Sequence, residues 1–317
     1  MPIISVVRLG DFPPPILDQL SVNPIDAVDM RDNNHYEVRR DHIVRQLKEP
    51  PRPLGALTRV MPPKNWYIER PTAKHAVIRA VTDTGRENTV AISAIQGLAG
   101  IGKSVLAAMV AYDCEVRRTF PDGITLIEVG YRASPIDVQT RLGMSLGIDP
   151  KEFKANVEFN KNLLIPKLRG KRMLFILDNV WQREQVQAVQ CGVDHVKFIV
   201  TTRRVQLAEL LDYSVRVDLL TEAEGGELIL RRAALQDDQR ADCEAISRHL
   251  NGLTLAVSIA AAKIKIKRMT PAAYLEQLKT AENPLTQLTL VEDRFGEPND
   301  PEQHFAAVLN LSYMDLD

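Results

Sequence analysis

The sequence predicts an α/β fold, a parallel five-stranded sheet followed by a small all-α domain. Three observations carry this. Five short β-rich runs, at 89–96, 124–129, 173–177, 196–201 and 214–219, alternate with helical patterns. Three of these runs are almost continuous in Val, Ile, Leu and Phe, which suits strands covered by helices on both faces. After Leu220 helical patterns follow one another directly, at 221–236, 241–250, 253–263 and 271–278. Strand–helix alternation implies right-handed crossovers and therefore parallel strands, and the trailing helices need a core of their own.

In chain order, residues 1–63 read as a Pro-rich, partly ordered N-terminal arm. Pro13, Pro14 and Pro15, then Pro50, Pro51 and Pro53, then Pro62 and Pro63 interrupt any long element, and one helix fits at 34–48. Residues 64–220 form the α/β domain, with helices expected at 103–112, 135–146, 154–168 and 203–211. Residues 221–282 form the helical domain. Thr221 and Glu224 stand at capping-box spacing, and Asn251-Gly252 suits a helix stop and restart. In 283–317, Pro284, Gly296, Pro298 and Pro301 mark a linker, and a last helix at 302–313 opens a further, incomplete domain.

Composition narrows the function classes. The chain has 317 residues, of which 45% are hydrophobic and 26% charged. Those values exclude wholesale disorder and a fibre. Lys and Arg number 40 against 41 Asp and Glu, a net charge of -1. A broad grip on nucleic acid or anionic lipid needs a basic surplus, so neither partner is expected. Cys114, Cys191 and Cys243 are odd in number and far apart, which fits a reducing cytosol and no disulfide framework. Cys191 and His195 have too few companions for a zinc site. The most apolar stretch, 253–262, is about half the ~20 residues of a membrane span. The expectation is a soluble, cytoplasmic protein.

The chemistry concentrates in Gly97-Leu98-Ala99-Gly100-Ile101-Gly102-Lys103-Ser104, which matches G-x-x-x-x-G-K-[ST], the Walker A or P-loop. It follows an apolar strand and opens a helical pattern, as its mechanism requires. The glycines permit backbone conformations closed to other residues, so that N–H groups can curl around phosphate oxygens. The helix beginning at Lys103 aims its positive end at the same phosphates. Lys103 reaches the β- and γ-phosphates, and the Ser104 hydroxyl holds Mg²⁺. Asp178 closes the run 173–177; in P-loop proteins such a carboxylate supports Mg²⁺. Asn179 comes next, and an amide cannot take a proton from water at neutral pH, so hydrolysis is expected to be slow. Thr201-Thr202-Arg203-Arg204 closes the next run. Strand C-termini face the ligand crevice in open α/β sheets, which puts a guanidinium within reach of a γ-phosphate. The alternative is a solvated Arg pair at a helix start, which the helix dipole disfavours.

As an ordered set these motifs resemble the NB-ARC family of STAND P-loop ATPases, which includes plant disease-resistance proteins and animal apoptotic protease-activating scaffolds. Trp66-Tyr67-Ile68-Glu69-Arg70-Pro71 resembles the family segment carrying an adenine-contacting arginine. Phe120-Pro121-Asp122-Gly123-Ile124 resembles the approach to the second strand, and Leu174 through Trp181 resembles the Walker B motif LLVLDDVW. Val200-Thr201-Thr202-Arg203 resembles the sensor motif, and Asn251-Gly252-Leu253-Thr254-Leu255-Ala256 resembles GLPLA. Residues 308–316 resemble the opening of the family's winged-helix domain. The likeness covers about 66–317. Ser104-Val105-Leu106-Ala107-Ala108 resembles the animal branch more than the plant one. Asn179 departs from the usual second Asp, and Thr254 from the GLPLA proline that packs against adenine.

The resemblance implies a P-loop NTPase sheet, a helical domain and the start of a winged helix, binding ADP, or ATP with Mg²⁺. Contacts to the adenine nucleotide are implied for Ile68, Arg70, Gly97, Ala99, Gly100, Ile101, Gly102, Lys103, Ser104, Val105, Arg203 and Thr254. Ser104 and Asp178 are implied at Mg²⁺, with Lys103, Asp178 and Arg203 acting on the terminal phosphate. The implied function is a nucleotide-controlled switch of a signalling protein, of the cell-death or innate-immunity type. Its ATPase activity is weak, it forms a homo-oligomer on activation, and a C-terminal sensor or repeat domain follows in the full-length protein. Family topology would set the Arg203 strand between those leading to Lys103 and Asp178. Two other readings stand beside it: a nucleotide-regulated STAND transcription regulator, and an ordinary turnover P-loop ATPase.

Overall fold

The computed structural model describes residues 7–8, 28–29, 53–83, 89–94 and 100–280. The helix expected at 34–48, loop residues 95–99 with Gly97 and Ala99, and the linker and winged-helix opening at 283–317 lie outside the described residues. The chain divides into two compact units, Met1–Pro53 and Leu54–Asp317. In the first, Val7–Arg8 pairs in parallel with Val28–Asp29. The second unit contains the sheet and helices of the nucleotide-binding motifs.

Its sheet contains β1 (Leu57–Thr58), β2 (Thr89–Ala94), β3 (Gly123–Glu128), β4 (Met173–Val180), β5 (Val196–Thr202) and β6 (Tyr213–Val217). The spatial order is β1-β3-β4-β5-β2-β6, and every pairing is parallel. The expected five strands are thus corrected to six. The added strand is only two residues long, too short to show any alternation, and exists by pairing Leu57 and Thr58 with Ile124 and Thr125 at the sheet edge. The other five stand where the apolar runs placed them.

Side-chain alternation explains why those runs are continuously apolar. Leu174, Ile176 and Ile199 enter one core with Val77 and Val81 of α1 (Pro71–Thr82) and Leu106 and Val110 of α2 (Lys103–Ala111). Phe175, Leu177, Phe198 and Val200 enter a second core on the opposite face. There they meet Val138 and Leu142 of α4 (Pro135–Ser145) and Leu164 and Leu168 of α5 (Val157–Leu168). Both faces of β4 and β5 are therefore dry, as parallel strands require. Three short helices were not expected from sequence or differ in extent: α3 (Cys114–Thr119), α6 (Arg183–Gln187) and α7 (Val205–Glu209). The last begins later than the pattern at 203–211, because Arg204 keeps an extended backbone, φ -88° and ψ 109°. That leaves Arg203 outside the helix.

Four helices follow: α8 (Glu222–Ala233), α9 (Arg240–His249), α10 (Thr254–Lys267) and α11 (Pro271–Thr280). They enclose a third core of Leu228, Ile229, Ile246, Val257, Ile264 and Leu275, among others. The capping box at the head of α8 is formed. The Glu224 N–H donates to Thr221 Oγ1 at 3.2 Å, and the Glu224 carboxylate accepts the Thr221 N–H at 2.8 Å. Gly252 has φ 64°, and a Cβ there would lie 2.1 Å from the Leu220 carbonyl oxygen. Only glycine permits that turn and that approach. Among the described residues no helix is long and apolar enough to cross a membrane.

Helices α8 and α9 touch through Gly225, where a Cβ would sit 1.9 Å from Ser247 Oγ. Gly225→Ala gains about 1 kcal/mol of helix propensity and loses roughly 1–3 kcal/mol to overpacking. Chemical denaturation should therefore show a net loss of stability. Adding Ser247→Gly to the same chain should cost less than the two single changes summed.

Candidate functional site

The site is built at the C-terminal ends of β4 and β5 and the start of α2. Gly100 and Gly102 take φ of 69° and 106°, and the second sits at the N-cap of α2. No side chain caps this helix start among the described residues, so its N–H groups and positive dipole end are available to an anion. Lys103 is buried, with 8% of its surface exposed. Its pKa falls from the usual 10.5 to about 8, mainly through loss of solvent and next through the charge of Arg203, with Asp178 opposing. The site thus gathers two cations around one carboxylate.

Asp178 is the hub. Its Oδ1 accepts a hydrogen bond from Ser104 Oγ at 2.6 Å and from Thr201 Oγ1 at 2.5 Å. One oxygen thereby joins α2, β4 and β5. The strand geometry makes this possible. Leu177 pairs with Val200 but Val180 pairs with Thr202, so β4 carries one residue more than β5 across this stretch. The extra residue is absorbed by Asn179 at φ 60°, a left-handed conformation that Asn tolerates better than most residues. The Asn179 N–H donates to Thr201 Oγ1 at 2.9 Å, and its carbonyl accepts the Gly130 N–H at 3.1 Å.

Arg203 follows β5. The guanidinium lies over the Trp181 ring, 5.7 Å from its centroid, and near enough to Lys103 to depress its pKa. β5 lies between β4 and β2, the order expected for a residue placed between Asp178 and Lys103.

The start of α10 reaches the same region, and a strap of residues 66–70 lies against the helical region and the segment after β6. Arg70 Nη1 donates to the carbonyls of Asp218 and Leu219 at 3.0 and 3.2 Å. Its Nη2 is buried and makes no hydrogen bond among the described residues. Ile68 packs against the third core. Trp66 is held by Arg232 of α8, whose guanidinium lies 4.3 Å from the ring centroid. Thr254 Oγ1 donates to the Ile101 carbonyl at 3.0 Å, and the Leu255 N–H donates to the Gly100 carbonyl at 2.9 Å. A Cβ on Gly100 would come within 2.6 Å of Leu255 Cβ. Gly100 is thus required twice, by its backbone angle and by the closeness of α10.

Of the sequence-derived site residues, the structure gathers Gly100, Ile101, Gly102, Lys103, Ser104, Asp178, Arg203 and Thr254. Val105 is half-buried in α2 behind Ser104. Sequence reading did not single out three contributors: Thr201 as the second donor to Asp178, Leu255 on the loop backbone, and Arg232 behind Trp66. Thr201 had a signal, its place in the sensor-like run. The other two depend on the helical region folding back and carry none.

The donor set fits a nucleotide with Mg²⁺. Ser104 and Asp178 offer hard oxygen ligands at hydrogen-bond distance. Among the described residues no group of three His, Cys, Asp or Glu could hold a metal by itself. That suits Mg²⁺, which is usually held by one or two protein oxygens together with phosphates and waters. The unsatisfied Arg70 Nη2 is a donor that a hydrogen-bonding ligand would complete, and the buried Lys103 sets a cation beside Ser104 and Asp178.

Comparison with known proteins agrees with the geometry. The NB-ARC domain model matches residues 72–239, more than half of the sequence. This chain belongs to the NB-ARC family. It is a nucleotide-binding STAND P-loop domain. It is similar to the Regulatory protein AfsR of Streptomyces coelicolor, 28% identical over 220 residues, covering 64% of this chain and 22% of AfsR. It is also similar to the Disease resistance protein RPP13 of Arabidopsis thaliana, 26% identical over 215 residues, covering 62% of this chain and 25% of that protein. The NB-ARC chain therefore spans about a quarter or less of these relatives. Among solved structures it is similar in fold to the Aeropyrum pernix ORC1 protein. The TM-score is 0.50 at 14% identity, covering 77% of this chain and 78% of the other.

The depressed Lys103 pKa has a pH signature. Below about pH 8 the lysine is charged in both folded and unfolded chains, and its burial penalty is fully felt. Between about 8 and 10.5 the folded chain binds fewer protons, so this group's contribution to stability rises with pH. A bound polyphosphate favours the charged form. Binding of ADP between pH 8 and 9 should therefore take up a fraction of a proton. Calorimetry in buffers of different ionisation heat reads this, and the lysine's share of the uptake should vanish towards about pH 6, where Lys103 is already charged before ADP binds.

Proposed function

We propose that this NB-ARC chain is an ADP/ATP switch with slow hydrolysis, whose nucleotide state controls closure of the helical region and self-association in a larger signalling protein. The observation that carries the reading is the convergence of Ser104, Thr201 and Asp178 beside buried Lys103, with α10 bonded to the loop backbone. Lys103 and the first N–H groups of α2 take phosphate charge, and Ser104 and Asp178 hold Mg²⁺. Arg70 and Ile68 serve the base, while Thr254 ties the helical region to the loop. Arg203 reads whether a third phosphate is present. When bound, ATP with Mg²⁺ supplies the terminal phosphoryl group that this arrangement senses.

Magnitudes limit what Arg203 does alone. A hydrogen bond to a charged group contributes about 1.5–3 kcal/mol. Moving a population from 1:99 to 99:1 takes about 5.5 kcal/mol of differential binding. Domain rearrangement, self-association or a further domain must supply the remainder. Asn179 argues for slow turnover, since its amide accepts no proton from water. A death- or immunity-type role is one setting for such a switch. The likeness to a protein named as regulatory, AfsR, supports a second: the same switch serving a regulatory protein, of which a transcription regulator is one kind.

Chromatography of nucleotide released from denatured protein tests the first step, and ADP or ATP is expected. Lys103→Ala should abolish retention. Arg203→Ala should weaken ATP roughly 10- to 100-fold, and ADP far less. Steady-state turnover should stay below about 1 s⁻¹; faster turnover, in the range of kinases, would mark an ordinary ATPase instead.

A further inference from the structure

We propose that Trp181 is the positioning residue for Arg203: its indole face holds the guanidinium in place for a terminal phosphate. This rests on the sensor reading of Arg203. The guanidinium carbon lies 5.7 Å from the ring centroid, within cation–π reach. Trp181 is only 8% exposed, yet its Nε1 is buried without a hydrogen bond among the described residues. A buried indole N–H normally has a partner. What recommends tryptophan at this position is therefore its ring face.

One further ring and several backbone bonds hold Trp181 in place. Tyr131 meets it edge-on, with centroids 5.4 Å apart at 88°. The Trp181 N–H donates to Oε1 of Gln185 at 2.9 Å. Gln185 is itself fully buried, and its Nε2 donates to the carbonyls of Ala133 and Gly130. The Trp181 carbonyl accepts from Arg204 Nη1 at 3.1 Å. Thr202 Oγ1 donates to the Val180 carbonyl and accepts the Arg204 N–H, clamping the backbone on both sides of Arg203.

The choice of an aromatic face has an electrostatic reason. Arg203 and Lys103 repel across the site, so something must offset that repulsion. A second carboxylate would do so, but it would neutralise the guanidinium and compete with phosphate for its N–H donors. An aromatic face attracts the cation through its quadrupole and makes no claim of its own on the N–H donors.

The test compares affinities for ADP and a non-hydrolysable ATP analogue in wild type, Trp181→Phe, Trp181→Leu and Arg203→Ala. Trp181→Leu should lose roughly 3- to 10-fold of the preference for the ATP analogue, the range of a partly desolvated cation–π contact, with ADP affinity kept. Trp181→Phe keeps an aromatic face and should retain most of the preference. A wild-type ratio in Trp181→Leu overturns this proposal alone. A wild-type ratio in Arg203→Ala overturns the sensor reading and this one with it. Should Trp181→Leu not fold, the indole N–H resonance of Trp181, assigned by its absence in Trp181→Phe, decides the matter. It should differ between the ADP and ATP-analogue forms of wild type and coincide in Arg203→Ala. Coincidence in wild type overturns the proposal.

Discussion

One carboxylate oxygen ties the ligand end of this sheet together. Asp178 Oδ1 accepts from the hydroxyls of Ser104 and Thr201 at once. Those hydroxyls come from a helix and a strand that have no covalent proximity to Asp178. Bonds to an ionised acceptor contribute more than neutral ones, about 1.5–3 kcal/mol each. They also fix register, because each distance holds only if α2 starts where it does and β4 carries its extra residue. The left-handed Asn179 is the local cost of that arrangement. Its N–H bond to Thr201 returns part of it by satisfying the hydroxyl's remaining role as acceptor.

Much of this was legible in the sequence, for identifiable reasons. A strand buried on both faces must be apolar throughout, so β4 and β5 announced themselves. The phosphate loop showed itself because its glycines and lysine each meet a separate physical demand. β1 was not legible, since a two-residue strand has no period and is defined by its partner. The late start of α7 was not legible either. Arg203 and Arg204 are compatible with a helix, and it is the clamp of Thr202 on Val180 and Arg204 that keeps them out of it. Within the site, Lys103, Asp178 and Arg203 were found, and Thr201 and Trp181 stood in runs that were recognised without their contacts being readable. Leu255 and Arg232 act through neighbours that the helical region brings across the fold, and such a neighbour leaves no mark on local spacing.

The departure at Thr254 acquires a physical meaning from the structure. A proline at that position has no side-chain donor. Thr254 instead donates its hydroxyl to the Ile101 carbonyl, beside the bond from the Leu255 N–H to Gly100. Both bonds take carbonyl oxygens of the loop, the groups that would repel phosphate, so the helical region and an anion need not compete for the same atoms. The loop becomes the shared element of two lobes. Whatever shifts its backbone is felt at the start of α10, and a helical region that swings away must first release two hydrogen bonds.

The charge balance gives that coupling a direction. Lys103 is desolvated and pressed by Arg203, and Asp178 relieves only part of this. Without an anion the site holds positive charge in a place where charge is expensive. A polyphosphate relieves both the desolvation and the mutual repulsion, so it acts as a structural member of the assembled lobes as much as a ligand. On the proposed reading a third phosphate would add its charge beside Arg203, which the Thr202–Arg204 bond flanks at the end of β5. The base, on the same reading, would meet the strap anchored by Arg70 and Trp66, and the phosphates would meet the strand ends and α10. A ligand that touches both constrains their relative placement, and one that lacks the terminal group constrains it less.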